Sequence, residues 1–125
     1  MLLSKLKAPI TGTFYILVVL MRIIASSTLK KYISDYADAE TALRSWLQEA
    51  ERANWSNPQE LKQQFGHASI VTGKRIVFNI CGNKYRLIVD IEFRLQIIFI
   101  VWFGAHNEYD KIDAKNVSYV KTNKK

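Results

Sequence analysis

After Met21 the apolar residues fall first at helical spacing and then at strand spacing. Ser26 or Ser27 is placed to cap a helix on which Leu29, Tyr32, Ile33 and Tyr36 recur every three or four residues. Asp38 is placed to cap a second, where Ala39, Leu43, Trp46, Leu47 and Ala50 form an apolar stripe and Glu40, Arg44, Glu49 and Glu51 fall mostly outside it. Trp46 therefore reads as core. Asn57, Pro58 and Glu60 supply an N-cap, a proline for the first helical position and an acid that reaches back, which predicts a third short helix carrying Leu61 and Phe65.

From Arg75 the period changes to two. Ile76, Phe78 and Ile80 alternate with Arg75, Val77 and Asn79, and Gly82-Asn83 offers a two-residue hairpin turn in which glycine supplies a positive φ. In the return strand from Lys84 to Ile91, Tyr85, Leu87, Val89 and Ile91 share one face and Lys84, Arg86, Ile88 and Asp90 the other. Gln96 to Phe103 is apolar almost throughout, as in a central strand covered on both faces. The segment from His106 to Lys111 then reads as a short helix or turn at the strand's exit. The expected architecture is α+β, an N-terminal strand and helices packed on a small, mostly antiparallel sheet.

The chain ahead of Met21 breaks this pattern. Lys5 and Lys7 precede an apolar run from Phe14 to Met21, a superficial likeness to a signal peptide. Thr11, Gly12 and Thr13 bound the run on one side and Arg22 on the other, far short of the roughly 20 apolar residues that span a bilayer. No membrane span is expected. Met21-Arg22-Ile23-Ile24-Ala25 reads as the start of a domain, so residues 1–20 are expected to be a non-native extension from an upstream start codon, with the domain over 21–116 and a basic tail over 117–125.

A chain of 125 residues buries roughly two thirds of its unfolded surface around one core. The lone Cys81 forms no internal disulfide, which fits the reducing cytoplasm and excludes a zinc site built from several thiolates. The net charge of +7 is unevenly placed. From Asp35 to Glu60 six acids face only Arg44 and Arg52, a balance of −4, whereas Leu61 to Val89 carries Lys62, Lys74, Arg75, Lys84 and Arg86 with no acid. Lys111, Lys115, Lys121, Lys124 and Lys125 follow against Asp113. A polyanion fits this distribution, and solvated surface charge is the plainer alternative.

Most enzyme classes lose support, because the chain has no glycine-rich phosphate loop, no cysteine pair, no histidine pair at helical metal-binding spacing and no Gly-x-Ser-x-Gly elbow. What remains is Lys84 and Arg86 on one strand face, with His106, Glu108 and Tyr109 just past the neighbouring strand. Cleavage of RNA needs little more. Its 2′-hydroxyl is an internal nucleophile, so a protein need only remove that proton, offset charge on the phosphate and protonate the departing 5′-oxygen. Arg86, a mid-strand arginine among apolar neighbours, must be paired or directed at an anion. A lone histidine such as His106 is more often structural, and His67, between Gly66 and Ala68, reads as surface loop.

The segment Val77-Phe78-Asn79-Ile80-Cys81-Gly82-Asn83-Lys84-Tyr85-Arg86-Leu87-Ile88, followed by Phe103-Gly104-Ala105-His106-Asn107-Glu108-Tyr109-Asp110-Lys111-Ile112, resembles the HigB family of bacterial type II toxins, within the RelE/ParE superfamily. A looser likeness runs from Met21 to about Asn116, residues 1–20 have no counterpart, and Ala105 stands where the family usually has threonine. The resemblance implies a RelE-like fold and an mRNA interferase, a metal-independent endoribonuclease without a cofactor that cuts messenger RNA on translating ribosomes. It also implies a cognate HigA-like helix-turn-helix antitoxin that holds the toxin inactive, with operator DNA reached only through that complex. Carried over by position, the site is Asn83, Arg86, His106 and Tyr109, with Lys84 and Lys111 secondary. His106 is then acid or base, Arg86 the phosphate clamp, and Tyr109 a stacking or proton-donating group. Lys74, Arg75, Lys121, Lys124 and Lys125 join them as RNA-binding cations. A toxin of the same fold that poisons DNA gyrase without nuclease activity, and a simple basic RNA-binding module, are the competing readings.

Overall fold

Helical and alternating apolar periods build two layers in the structure, a computed structural model that describes residues 20–118. All but the last residue of the expected extension, and Lys121, Lys124 and Lys125 of the expected tail, lie outside the described residues.

The chain enters as strand β1 (Arg22–Ile24), followed by helix α1 (Ser26–Asp35), a 3₁₀ turn (Ala37–Ala39) and helices α2 (Glu40–Glu51) and α3 (Pro58–Gln64). Strands β2 (Ser69–Ile70), β3 (Arg75–Ile80), β4 (Tyr85–Glu92) and β5 (Ile97–Ala105) come next, and a single helical turn, α4 (His106–Tyr109), closes the order. The sheet runs β1-β5-β4-β3-β2. Every pairing is antiparallel except β1 with β5, where Arg22 lies opposite Ile97 and Ile24 opposite Phe99. The α+β class expected from the two periods is the class observed.

The helices cover one face of this sheet. Leu29, Leu43, Trp46 and Leu61 pack there on Ile76, Phe78, Leu87, Val89, Ile98 and Ile100, each side chain contributing roughly 1.5–3 kcal/mol of burial. Trp46 meets the Phe78 ring edge-on at 5.3 Å, the core role its helical period predicts. The other face carries a smaller cluster, Val77, Ile88 and Val101, against Trp102, Tyr109, Ile112, Ala114 and Val117. A register shift between Ile88 and Val89 sets Ile88 opposite Trp102 but Val89 opposite Ile100. Such a bulge breaks the strict alternation of faces, and Val101 and Trp102, consecutive in sequence, both pack in this second cluster.

The expected start of α3 is observed: the Asn57 side chain accepts from the Glu60 amide at 2.9 Å, and the Glu60 carboxylate reaches back to the Ser56 amide at 2.9 Å. Three local expectations are corrected. Ser26 and Ser27 lie inside α1, because extended Ala25 takes the N-cap position with no side-chain cap. Asp38 sits in the 3₁₀ turn and caps nothing, since its carboxylate is taken by Lys84 and Tyr85 from the sheet. The β3–β4 loop spans Cys81 to Lys84, with positive φ at Cys81 (58°) and Gly82 (65°), so Lys84 is a loop residue and β4 begins at Tyr85.

Candidate functional site

Arg86 is the second residue of β4 and points away from the helices, as alternation from buried Tyr85 and Leu87 requires. Its register partners are Asn79 on β3 and Gly104 on β5. Gly104 leaves this face open to a neighbour's ring: a Cβ there would lie 2.7 Å from the Trp102 indole, so the indole lies across the glycine. Trp102 in turn meets Tyr109 with ring centroids 6.2 Å apart. The start of α4 is held to the hairpin by the His106 amide, which donates to the Lys84 carbonyl at 2.9 Å.

These local constraints bring four side chains together. The Arg86 guanidinium donates through Nη2 to the Asn83 side-chain oxygen at 2.7 Å, and through Nη1 to the Asn83 and Tyr85 carbonyls at 3.1 and 3.2 Å. Nη2 also lies 3.3 Å from His106 Nδ1, and the guanidinium carbon lies 5.8 Å from the centroid of the Tyr109 ring. As a hydrogen bond this contact takes Nδ1 as the acceptor, because a guanidinium only donates, and Nε2 faces Asp110 at 3.5 Å. None of the hydrogen-bonding partners of Arg86 is a carboxylate, and it forms no ion pair among the described residues. The partners orient the cation without cancelling its charge, as an anion-binding arginine requires. Asn83, Arg86, His106 and Tyr109 thus share one solvent-reachable patch, with the His106 side chain 44% exposed.

A second network anchors the same loop from the helix side. Asp38 accepts a hydrogen bond from the Tyr85 hydroxyl at 2.5 Å and an ion-pair contact from Lys84. The Lys84 contact, with the Tyr85 bond, holds the Asp38 carboxyl below the ordinary carboxylate range, and the same carboxylate raises Lys84 and Tyr85 above theirs. Tyr85 also stacks on Phe103 at 5.2 Å. Asp38 carries no signal in the sequence beyond its capping pattern, and Asp110, four residues after His106 on a helical turn, was the more legible omission.

The remaining cations scatter. Arg75 is 9% exposed, with its guanidinium committed to both Asp90 oxygens at 2.7 Å and to the carbonyls of Ala114, Lys115 and Val117 at 2.6–3.2 Å. It is a structural tie instead of the free RNA-binding cation expected. Lys84 is ion-paired to Asp38. Lys74 is exposed at the opposite end of β3 from Asn79, on the order of 17 Å away along the strand. Lys111 is exposed just past α4. Among the described residues no three of histidine, cysteine, aspartate and glutamate form a group that would hold a metal ion, and no helix is long and apolar enough to cross a membrane.

Comparison of the whole chain with curated proteins found no match. A family model, HigB_toxin, described as the RelE-like toxic component of a toxin-antitoxin system, matches residues 39–112, more than half of the chain and all four members of the patch. The protein is therefore a member of the HigB toxin family, the toxin of a toxin-antitoxin pair, and has an antitoxin for a partner.

Proposed function

We propose that this toxin is a metal-independent endoribonuclease that cleaves messenger RNA on translating ribosomes in the cytoplasm. The observation that carries this reading is the contact of an unneutralised arginine, Arg86, with an imidazole, His106, beside the Tyr109 ring. In the proposed reaction Arg86 binds the scissile phosphate and offsets the charge that gathers as the 2′-oxygen attacks phosphorus. Asn83 holds the guanidinium in its plane. Once the phosphate draws Arg86 off Nδ1, His106 takes the 2′-hydroxyl proton there while the Tyr109 hydroxyl gives its proton to the departing 5′-oxygen. In the reverse assignment a protonated His106 gives its proton to the 5′-oxygen, water takes the 2′-hydroxyl proton, and Tyr109 stacks on the substrate. Products of this internal attack are a 2′,3′-cyclic phosphate and a 5′-hydroxyl. Lys74, Lys111, Lys121, Lys124 and Lys125 are the cations proposed to bind RNA phosphates at a distance from the chemistry.

The proposed antitoxin is a HigA-like helix-turn-helix protein that covers the patch and carries the complex to operator DNA. The experiment is induction of the toxin in cells, followed by mapping of RNA 5′ ends and of DNA breaks. New 5′-hydroxyl ends within translated message, lost in Arg86→Ala, are expected. Intact message with broken DNA overturns the nuclease reading in favour of gyrase poisoning.

A further inference from the structure

The outer edge of β3 continues past the reach of β2, whose two residues pair only with Ile76 and Val77. Beside that open stretch lies a cavity of about 580 Å³ lined by Phe65, His67, Phe78, Asn79, Gly82 and Asn83, among others. Two of its lining residues connect it to the patch. Asn83 accepts the Arg86 hydrogen bond at 2.7 Å, and Asn79 is the register partner of Arg86. A group in this cavity is therefore one side chain away from an anion held by Arg86.

The lining combines an aromatic wall with uncommitted polar groups. Phe65 is held edge-on by Trp55 at 5.9 Å and by Phe78 at 5.0 Å, which fixes the ring before any ligand arrives. The His67 imidazole and the Asn79 carboxamide are exposed, and neither bonds another side chain among the described residues. A planar heterocycle with hydrogen-bonding edges suits such a lining, because aromatic side chains stack on any base while amide and imidazole groups meet its edge. The volume falls within the roughly 300–1,000 Å³ of small-ligand sites and leaves room for a base with part of its sugar.

We infer that this cavity is a subsite for one unstacked nucleobase of single-stranded RNA, that of a nucleotide adjoining the phosphate held by Arg86, and that Asn79 and His67 set which position is cut. The inference rests on the nuclease reading for its consequence, but base binding is measurable without cleavage. The probe is a single-stranded hexanucleotide made uncleavable by 2′-deoxyribose throughout, carrying 2-aminopurine at each position in turn, whose fluorescence is quenched on stacking. Saturable quenching by the whole toxin is expected, with about tenfold weaker binding by the doubly substituted H67A/N79A protein, the size of one lost base contact. Circular dichroism of that variant is expected to match the wild type. In the cleavage map the same variant is expected to redistribute cut positions while retaining Arg86-dependent cutting. Unchanged affinity together with unchanged cut positions overturns the subsite and leaves the nuclease reading standing. Quenching that depends on His67 and Asn79, in a toxin that cuts no RNA, overturns the nuclease reading alone. Absence of both quenching and cutting overturns the two together.

Discussion

Arg75 and Arg86 stand on the same face of the same pair of strands, one at each end, and meet opposite surroundings. Arg75 lies across from Asp90, whose two carboxylate oxygens take its Nε and Nη2 at 2.7 Å, and its remaining donors bind the chain after α4 through three carbonyls. The charge is cancelled and a segment is tied down. Arg86 lies across from Asn79 and Gly104, neither of which carries a charge, and its donors meet an amide oxygen, two carbonyls and an imidazole nitrogen. What separates the two surroundings is the cross-strand residue, since an oriented but unpaired cation keeps its full attraction for an incoming anion.

Substitution should separate the two sharply. Arg75→Ala leaves Asp90 half-desolvated with no counter-charge, and the urea midpoint is expected to report a loss of about 3 kcal/mol. Cleavage per folded molecule should hardly change. The double replacement R75M/D90L removes both charges and should recover most of that loss, because matched apolar residues are a fair substitute for a buried pair. Arg86→Ala is expected to do the reverse: stability within about 0.5 kcal/mol of wild type, with cleavage down about a hundredfold, close to 3 kcal/mol of barrier. A destabilised but fully active Arg86→Ala protein would falsify the contrast. His106→Gln keeps a polar side chain but moves no proton near neutrality, so turnover should also fall about a hundredfold while RNA affinity holds.

A smaller effect is expected from the glycine that makes room beside Arg86. In Gly104→Ala the new Cβ lies 2.7 Å from the Trp102 ring, which must shift and withdraw its support from Tyr109. Urea unfolding is expected to show about 1 kcal/mol of overpacking strain, and cleavage a loss of several-fold. Wild-type activity in that variant would show that the Trp102–Tyr109 contact does not position the site.

Much of the contrast between the arginines was legible in the chain. The register that a Gly82-Asn83 turn implies is the register observed, with Ile80 opposite Tyr85, and it already sets Arg75 against Asp90 and Arg86 against Asn79. The loop is longer than expected only because positive φ falls at Cys81 and Gly82, which leaves Cys81 and Lys84 outside the ladder without moving any pair. Arg75 does not stay free because its counter-charge, Asp90, lies across the ladder and fifteen residues away along the chain. His106 and Tyr109 were placed by the end of an apolar strand, whereas the Asp38 contact joins residues 46 apart, a tertiary meeting no local period announces. β2, two residues long, is too short to leave an alternation at all.

That distant contact gives the smallest expected effect, since Lys84 and Asp38 keep 59% and 48% of their side chains exposed, and exposed pairs contribute little. Its sign is fixed by the shifts. Asp38 is held below the ordinary carboxylate value by the Lys84 contact first and the Tyr85 bond second, so its contribution is complete above about pH 4 and is lost as acid takes the pH down through the lowered folded value. Lys84 is raised by the same contact. Its contribution is complete below about pH 10 and is lost as the pH rises through the raised folded value. Asp38→Asn removes the ion pair and leaves an oxygen that still accepts from Tyr85. The urea midpoints of wild type and variant should therefore differ most between about pH 5 and 9, and the gap should narrow as the pH falls below about 4 and again as it rises beyond about 10. A gap that persists unchanged at pH 3 would show that Asp38 holds the β3–β4 loop by shape and hydrogen bonding alone, with no share from its charge.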